Sequence, residues 1–328
     1  MTSAGSIVFV MEASPAVGLG HLRRCQALAA ALRCRGAAAR FLVDGEVATQ
    51  EVECALLRWT RDHALVCAAV AEARVDAAVV DSYRATPELF ERLRAVVGCV
   101  VAVDDLADRP LPAHLVVNGG LGARQLPYRG APDTRFLLGP EYALLEPAFS
   151  GSAARTIEEP VRRVLVTLGG GVVGEPLAVV VAAVRRTLPS ATIDLALGPL
   201  SDDGADAWEG VTLHRGLSSL RGLMLRADLA VTGGGMTIYE CLAAGTPTVG
   251  VCLADNQRPN IDALSRAQLI VGVESSPEDA VRRLATNSRL RRRMSAEGQR
   301  RVDGRGAERV ADEITRVRSA LAAAQDAR

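Results

Sequence analysis

Three times in this 328-residue chain a strand-length apolar run ends in a glycine-rich turn that opens onto a helix-like run. Ile7-Val8-Phe9-Val10-Met11 leads to Gly18-Leu19-Gly20-His21 and then to Leu22 through Leu32. Arg163 through Leu168 leads to Gly169-Gly170-Gly171 and a helical stretch over 174–187. Asp228 through Thr232 leads to Gly233-Gly234-Gly235 and the run that begins at Met236. A strand that feeds a helix before the next strand belongs to a parallel α/β sheet. Further β-rich runs are expected at 40–43, 76–80, 98–103 and 115–117, and then near 192–196, 211–214, 247–251 and 269–272. Helical runs lie near 21–34, 62–73 and 86–96, and over about 276–325. Ala77-Ala78-Val79-Val80 and Val100-Val101-Ala102-Val103 are wholly apolar, as strands covered on both faces are.

The length exceeds what one hydrophobic core normally serves, so two domains are expected. Residues 151–160 are small and polar and end in Pro160, as a linker would. This predicts an N-terminal Rossmann-like domain over 1–150 and a C-terminal one over 161–328, with the terminal helices as candidates to cross back. The fold class expected is α/β, with two doubly wound domains facing each other across a cleft and ligands at the carboxyl ends of the strands.

Composition removes several functions. The formal net charge is zero and aromatic residues make up 3%, which gives no footprint for nucleic acid. All 38 basic residues are arginine, which excludes a Walker-A lysine and a lysine Schiff base within this chain. The seven cysteines are scattered and form no C-x-x-C pair, which reads as reduced thiols of a cytoplasmic protein. No apolar stretch approaches a membrane span, and the first residues lack the pattern of a signal peptide. The four histidines have no metal-like spacing. The pair Asp104-Asp105 points to opposite faces of its strand end, so no metal site is expected. No feature of the sequence assigns an oligomeric state.

The candidate site residues sit on the glycine turns. Free N–H groups at a helix start hold phosphate, and glycines let it come close. Gly234, Gly235, Met236 and Thr237 are placed for that role. Glu240, one turn on, fits a ribose diol; an acid answering the helix dipole would look the same. Asn256, Gln257 and Asn260 follow the strand at 247–251 and offer amides for a neutral polar ligand or for loop and cap bonds. His21 places a titratable group beside Gly20 at an anion-binding turn. Asp81, Ser82 and Tyr83 end the strand at 76–80 in the same way as Asp104-Asp105 end theirs.

Taken together these residues resemble a family. Gly18-Leu19-Gly20-His21-Leu22-Arg23-Arg24-Cys25, Val103-Asp104-Asp105-Leu106-Ala107-Asp108-Arg109 and Leu138-Gly139-Pro140-Glu141-Tyr142-Ala143-Leu144-Leu145 carry the resemblance, with Gly234-Gly235-Met236-Thr237, Glu240 and Ala254-Asp255-Asn256-Gln257. The sequence is similar to the UDP-sugar hydrolases of the pseudaminic acid pathway and to related spore-coat polysaccharide proteins. These share the GT-B fold with the peptidoglycan N-acetylglucosaminyltransferase. The resemblance implies UDP held mainly by the C-terminal domain, with Glu240 at the ribose and Gly234 to Thr237 at the diphosphate. It puts Gly20, Tyr83, Asn256, Gln257 and Asn260 near the diphosphate or sugar. It also implies His21 as the base that activates water at the anomeric carbon, releasing UDP and free sugar without cofactor or metal.

The chain departs from the pattern in two places. Val10-Met11-Glu12-Ala13-Ser14 stands where the hydrolases read Arg-x-Asp-Ala-Ser, and Gly169-Gly170-Gly171-Val172-Val173 lacks their polar pair. A glycosyltransferase on the same scaffold, with an acceptor hydroxyl in place of water, is the second expectation. A nucleotide-sugar-binding protein without catalysis is the third. A dinucleotide oxidoreductase ranks below these, because Arg23 stands where its fingerprint needs a third glycine.

Overall fold

The computed structural model describes residues 5–14, 17–45, 53–169, 174–198, 208 and 210–326. The chain forms two compact units, one of Met1–Pro147 with Arg305–Arg328 and one of Ala148–Gly304. Each unit is a parallel sheet with helices in its crossovers.

In the first unit the strands are β1 (Ser6–Ala13), β2 (Ala38–Gly45), β3 (Glu53–Leu56), β4 (Ala77–Asp81), β5 (Cys99–Val103), β6 (Leu115–Asn118) and β7 (Arg135–Leu138). Their order across the sheet is β3-β2-β1-β4-β5-β6-β7, and every pairing is parallel. The crossovers carry α1 (Gly20–Arg33), α2 (His63–Ala73) and α3 (Pro87–Val96). Strands β4 and β5 are buried at every position, which explains their unbroken apolar sequence. Trp59 fills the core fully buried and donates its indole N–H to the Met11 carbonyl at 3.1 Å. The edge strands β3 and β7 were not among the expected strands. Each is a four-residue strand at the sheet edge with no β-branched residue, Glu-Cys-Ala-Leu and Arg-Phe-Leu-Leu, so their sequences carry little strand signal.

The second unit has β8 (Arg163–Thr167), β9 (Thr192–Ala196), β10 (Val211–His214), β11 (Leu229–Gly233), β12 (Thr248–Val251) and β13 (Val271–Val273), in the order β10-β9-β8-β11-β12-β13. All its pairings are parallel. Its helices are α4 (Glu175–Thr187), α5 (Arg221–Arg226), α6 (Thr237–Ala244), α7 (Arg258–Arg266), α8 (Glu278–Ala285) and α9 (Ser288–Arg301).

Residues 151–160 do not behave as a free linker. They lie in the second unit, where two arginines tie them down. Arg155 donates to the carbonyls of Met224 and Ala227, and Arg291, fully buried, donates to those of Glu158 and Glu159. The last helix, α10 (Gly306–Asp326), belongs to the first unit and packs on α1, where Asp312 accepts from Arg35 at 2.7 Å. The stretch around Leu138 to Leu145 seats it: a Cβ at Gly306 would lie 2.1 Å from the Ala143 carbonyl oxygen, and Arg309 donates to the Glu141 carbonyl at 2.9 Å. Among the described residues no helix is long and apolar enough to cross a membrane.

Candidate active site

A doubly wound sheet binds ligands outside the carboxyl ends of its strands, where the strand order reverses. In the first unit that point lies at β1 and β4, because the chain winds outward through β2 and β3 and then returns to β4 on the other side of β1. Residues Gly18 to His21 lead from β1 into α1, and Asp81 closes β4.

The topology brings His21 and Asp81 together. His21 is 5% exposed and Asp81 is fully buried. The His21 Nδ1 lies 2.5 Å from Asp81 Oδ1. An ionised carboxylate only accepts, so Nδ1 carries the hydrogen of this bond and the neutral ring has its lone pair on Nε2. Arg24, one helical turn after His21, grips the same carboxylate with two nitrogens, Nε to Oδ2 at 2.5 Å and Nη2 to Oδ1 at 2.6 Å. Its third nitrogen, Nη1, donates to Asp105 Oδ2 at 2.6 Å. Burial opposes charge on Asp81, but Arg24 and then His21 outweigh it and hold the carboxyl well below the usual carboxylate range.

Tyr83 packs edge-on against the His21 ring, with centroids 4.9 Å apart and planes at 72°. Its hydroxyl donates to Asp105 at 3.0 Å. Burial, and then Asp105, push the Tyr83 phenol well above its usual value, so it stays a neutral donor. Arg109 fixes the loop that carries Tyr83 by donating to the carbonyls of Ser82 and Ala85, each at 2.8 Å. Asp104 Oδ1 holds a turn, accepting from the N–H groups of Leu106 at 3.0 Å and Ala107 at 2.7 Å, while its buried Oδ2 has no hydrogen-bond partner among the described residues and lies 3.4 Å from Arg109. Glu12, at the end of β1, is 5% exposed; it accepts from the Ser82 hydroxyl and lies 3.3 Å from Arg84. Among the described residues no group of three or more His, Cys, Asp or Glu side chains could hold a metal ion.

The other histidines lie elsewhere. His114 Nδ1 accepts from the Val100 N–H at 2.9 Å, and His214 Nε2 lies 2.8 Å from Asp194. His63 starts α2 beside Trp59.

In the second unit the strand order reverses at β8 and β11. Residues 170–173, which include most of the Gly169–Gly171 turn with Val172 and Val173, lie outside the described residues. After β11, Gly234, Gly235 and Met236 lead into α6, which begins at Thr237. Gly234 and the amides of the next loop fasten to one another. Gln257 Oε1 accepts from the Gly234 N–H at 3.0 Å and from the Leu253 N–H at 3.2 Å. Asn260 donates to the Gly234 carbonyl at 3.0 Å and accepts from the Tyr239 hydroxyl at 2.5 Å. Gln257 and Asn260 therefore shape the turn. Asn256 is exposed on the 3-10 turn Asp255–Gln257, and Glu240 is half-buried in the first turn of α6.

Neither α1 nor α6 has a side-chain N-cap, a feature shared with α3, α4, α5, α7 and α8. What sets α1 and α6 apart is that their uncapped starts lie at the two switch points, where ligands bind such sheets. The glycines agree. Gly18 has φ +81°, a backbone reason to be glycine. Gly234 has a packing reason, since a Cβ there would lie 2.7 Å from Gln257 Cβ. Gly20 and Gly235 have neither: both are exposed, their φ angles lie outside the left-handed region, and a Cβ would meet nothing within 4 Å. The space beside them is open to an approaching group.

The sequence reading named His21, Gly20, Tyr83 and the turn residues of α6. It did not name Asp81 or Arg24 as partners of His21. The available signal was an acid at the end of the strand that topology sets beside β1.

No protein-family model matches the chain. It is similar to the spore coat polysaccharide biosynthesis protein SpsG of Bacillus subtilis (strain 168), 23% identical over 316 residues that cover 89% of this chain and 93% of that protein. Its fold matches solved GT-B structures. The glycotransferase of kitacinnamycin aligns with TM-score 0.65 and 20% identity over 96% of this chain and 99% of that one. Acinetobacter baumannii MurG aligns with TM-score 0.60 and 17% identity over 95% and 99%. The UDP co-structure of S. aureus MnaA aligns with TM-score 0.61 and 14% identity over 94% and 96%. The expected α/β class with two Rossmann-like GT-B domains is therefore the fold of this chain. The spore-coat part of the expected family resemblance has its counterpart in SpsG; the hydrolase specificity is not supported by these comparisons.

Proposed function

We propose that the protein transfers a sugar from a UDP-sugar donor to an acceptor hydroxyl, with His21 as general base. The buried His21–Asp81 pair carries this reading: its hydrogen bond runs through Nδ1, which leaves Nε2 as the lone pair for a proton. His21 Nε2 takes the acceptor proton. The acceptor oxygen bonds to the anomeric carbon, the bond from that carbon to the β-phosphate oxygen breaks, and the electron pair leaves with UDP. Asp81 keeps the ring oriented and faces the imidazolium as it forms.

The donor's nucleotide is assigned to the second unit. The N–H groups of Gly235, Met236 and Thr237 would receive the diphosphate at the uncapped start of α6, and Glu240 the ribose diol. Departure of UDP needs charge stabilisation, which helix N–H groups supply. No step requires a metal or organic cofactor.

Three likenesses support the donor class and the transfer. SpsG is described as acting in spore coat polysaccharide biosynthesis, several of the fold's solved neighbours are glycosyltransferases, and MnaA was solved with UDP. The same neighbours favour transfer over the hydrolysis expected from the sequence. Hydrolysis would use the same base with water as nucleophile. Incubating the protein with UDP-sugars, with and without an acceptor panel, separates the two. UDP release that depends on an acceptor is expected. Rapid release of UDP and free sugar without acceptor would return the reading to hydrolysis, and UDP binding with no turnover of any donor and acceptor pair would leave a binding protein.

A further inference from the structure

We propose that Arg24 and Asp105 tune the proton affinity of His21, Arg24 as the positioning residue that grips Asp81 and itself lies 3.3 Å from His21 Nδ1, and Asp105 as its offsetting charge. The inference rests on the reading of His21 as the base.

Arg24 is 6% exposed and all three of its guanidinium nitrogens are committed to carboxylates. Two of them grip Asp81, the acid that faces the His21 ring. A carboxylate paired bidentately with a guanidinium is close to neutral as a unit, and alone it offers little to an imidazolium. Asp105 changes the balance. Asp81 and Asp105 each carry one negative charge and Arg24 one positive, so the three together carry one net negative charge. A proton taken up by His21 brings the cluster to zero. Arg24 therefore offsets one of the two acids of the cluster, and Asp105 restores its net negative charge.

Other groups near the ring do not supply that charge. On α1 itself, Cys25 points its thiol at Asp81 Oδ2 from 3.6 Å, and burial pushes that thiol upward so that it stays neutral. Tyr83, after β4, is a neutral phenol bonded to Asp105. Glu12, at the end of β1, is taken up by Ser82 and Arg84. At the end of β2, Asp44 accepts from Thr60. Helix α10 brings Asp312 to Arg35, beyond the far end of α1 from His21.

A purely structural role would let Arg24 and Asp105 act in the same direction, toward loss of packing. The charge account requires opposite directions. The test follows the His21 imidazole by NMR titration of the full chain, its signal assigned by its loss in H21Q, in the parent protein and in R24M, R24K and D105N. The pH profile of kcat/KM is measured alongside. The His21 titration midpoint is expected to rise in R24M and fall in D105N, each by about half a pH unit or more. R24K stays near the parent, because a cation remains. Equal midpoints in D105N and the parent, or movement of R24M and D105N in the same direction, would overturn the proposal. Should R24M fail to fold, D105N decides alone, since its side chain is 36% exposed and its replacement leaves the Arg24–Asp81 pair intact. The titration needs no substrate. Opposite shifts in a protein that turns over no UDP-sugar would therefore keep this proposal and sink the functional reading.

Discussion

Gly20 and Gly235 separate what the fold needs from what a ligand needs. Neither the backbone nor the packing demands glycine at either position. On our account G235V keeps the melting temperature of the parent and loses at least about tenfold in UDP affinity, or about 1.4 kcal/mol; calorimetric titration beside a thermal melt reads both. Unchanged UDP affinity in G235V would remove the diphosphate from this turn. Gly234 gives the opposite result. A methyl group there runs into Gln257 and Ile261, so G234A is expected to lower stability by about 1–3 kcal/mol. Asp81 supplies a pH signature. Its folded-state value is depressed, so its contribution to stability is full above the ordinary carboxylate range and fades as pH falls below about 4. Melting curves of the parent and D81N should lie far apart at pH 7 and converge in acid. A constant gap across that range would show that the ion pair is not the source of the stability.

At the level of elements, the sequence and structure agree on the strands that carry β-branched residues and part at two short edge strands. Strands β4 and β5 were legible because parallel strands covered on both faces must be apolar throughout. Strands β3 and β7 were not, because each is only four residues long, pairs on one side only and has no β-branched residue. The glycine turns that lead into α1 and α6 were legible from local spacing. The partnership of His21 with Asp81 was not, because 60 residues separate them and only the adjacency of β1 and β4 joins them. Residues 151–160 misled for the same kind of reason: their composition is that of a loop, but Arg155 anchors them to the Met224 and Ala227 carbonyls and the buried Arg291, distant in sequence, holds the Glu158 and Glu159 carbonyls. Arg291, on α9, donates to the carbonyls of Leu284 and Ala285 as well as to those of Glu158 and Glu159. R291M removes the donor shared by these carbonyls, of which Leu284 keeps the Asn287 N–H. It is expected to cost on the order of 3 kcal/mol in denaturant unfolding, with greater proteolytic sensitivity at 151–160. Parent-like stability would mean that the segment is held by other contacts.

For the molecule as a whole, the same winding occurs twice and its two reversal points receive different chemistry. The point at β1 and β4 holds the buried His21 with Asp81 and Arg24. The point at β8 and β11 holds an uncapped helix start beside an exposed glycine. This division of labour implies that catalysis and nucleotide affinity can be lost separately, and that is the central claim. The most direct measurement pairs UDP binding with donor turnover in the parent and in H21A. The account predicts UDP affinity within a few-fold of the parent and a fall in kcat of about 10²–10⁴. Turnover near the parent level in H21A would contradict it.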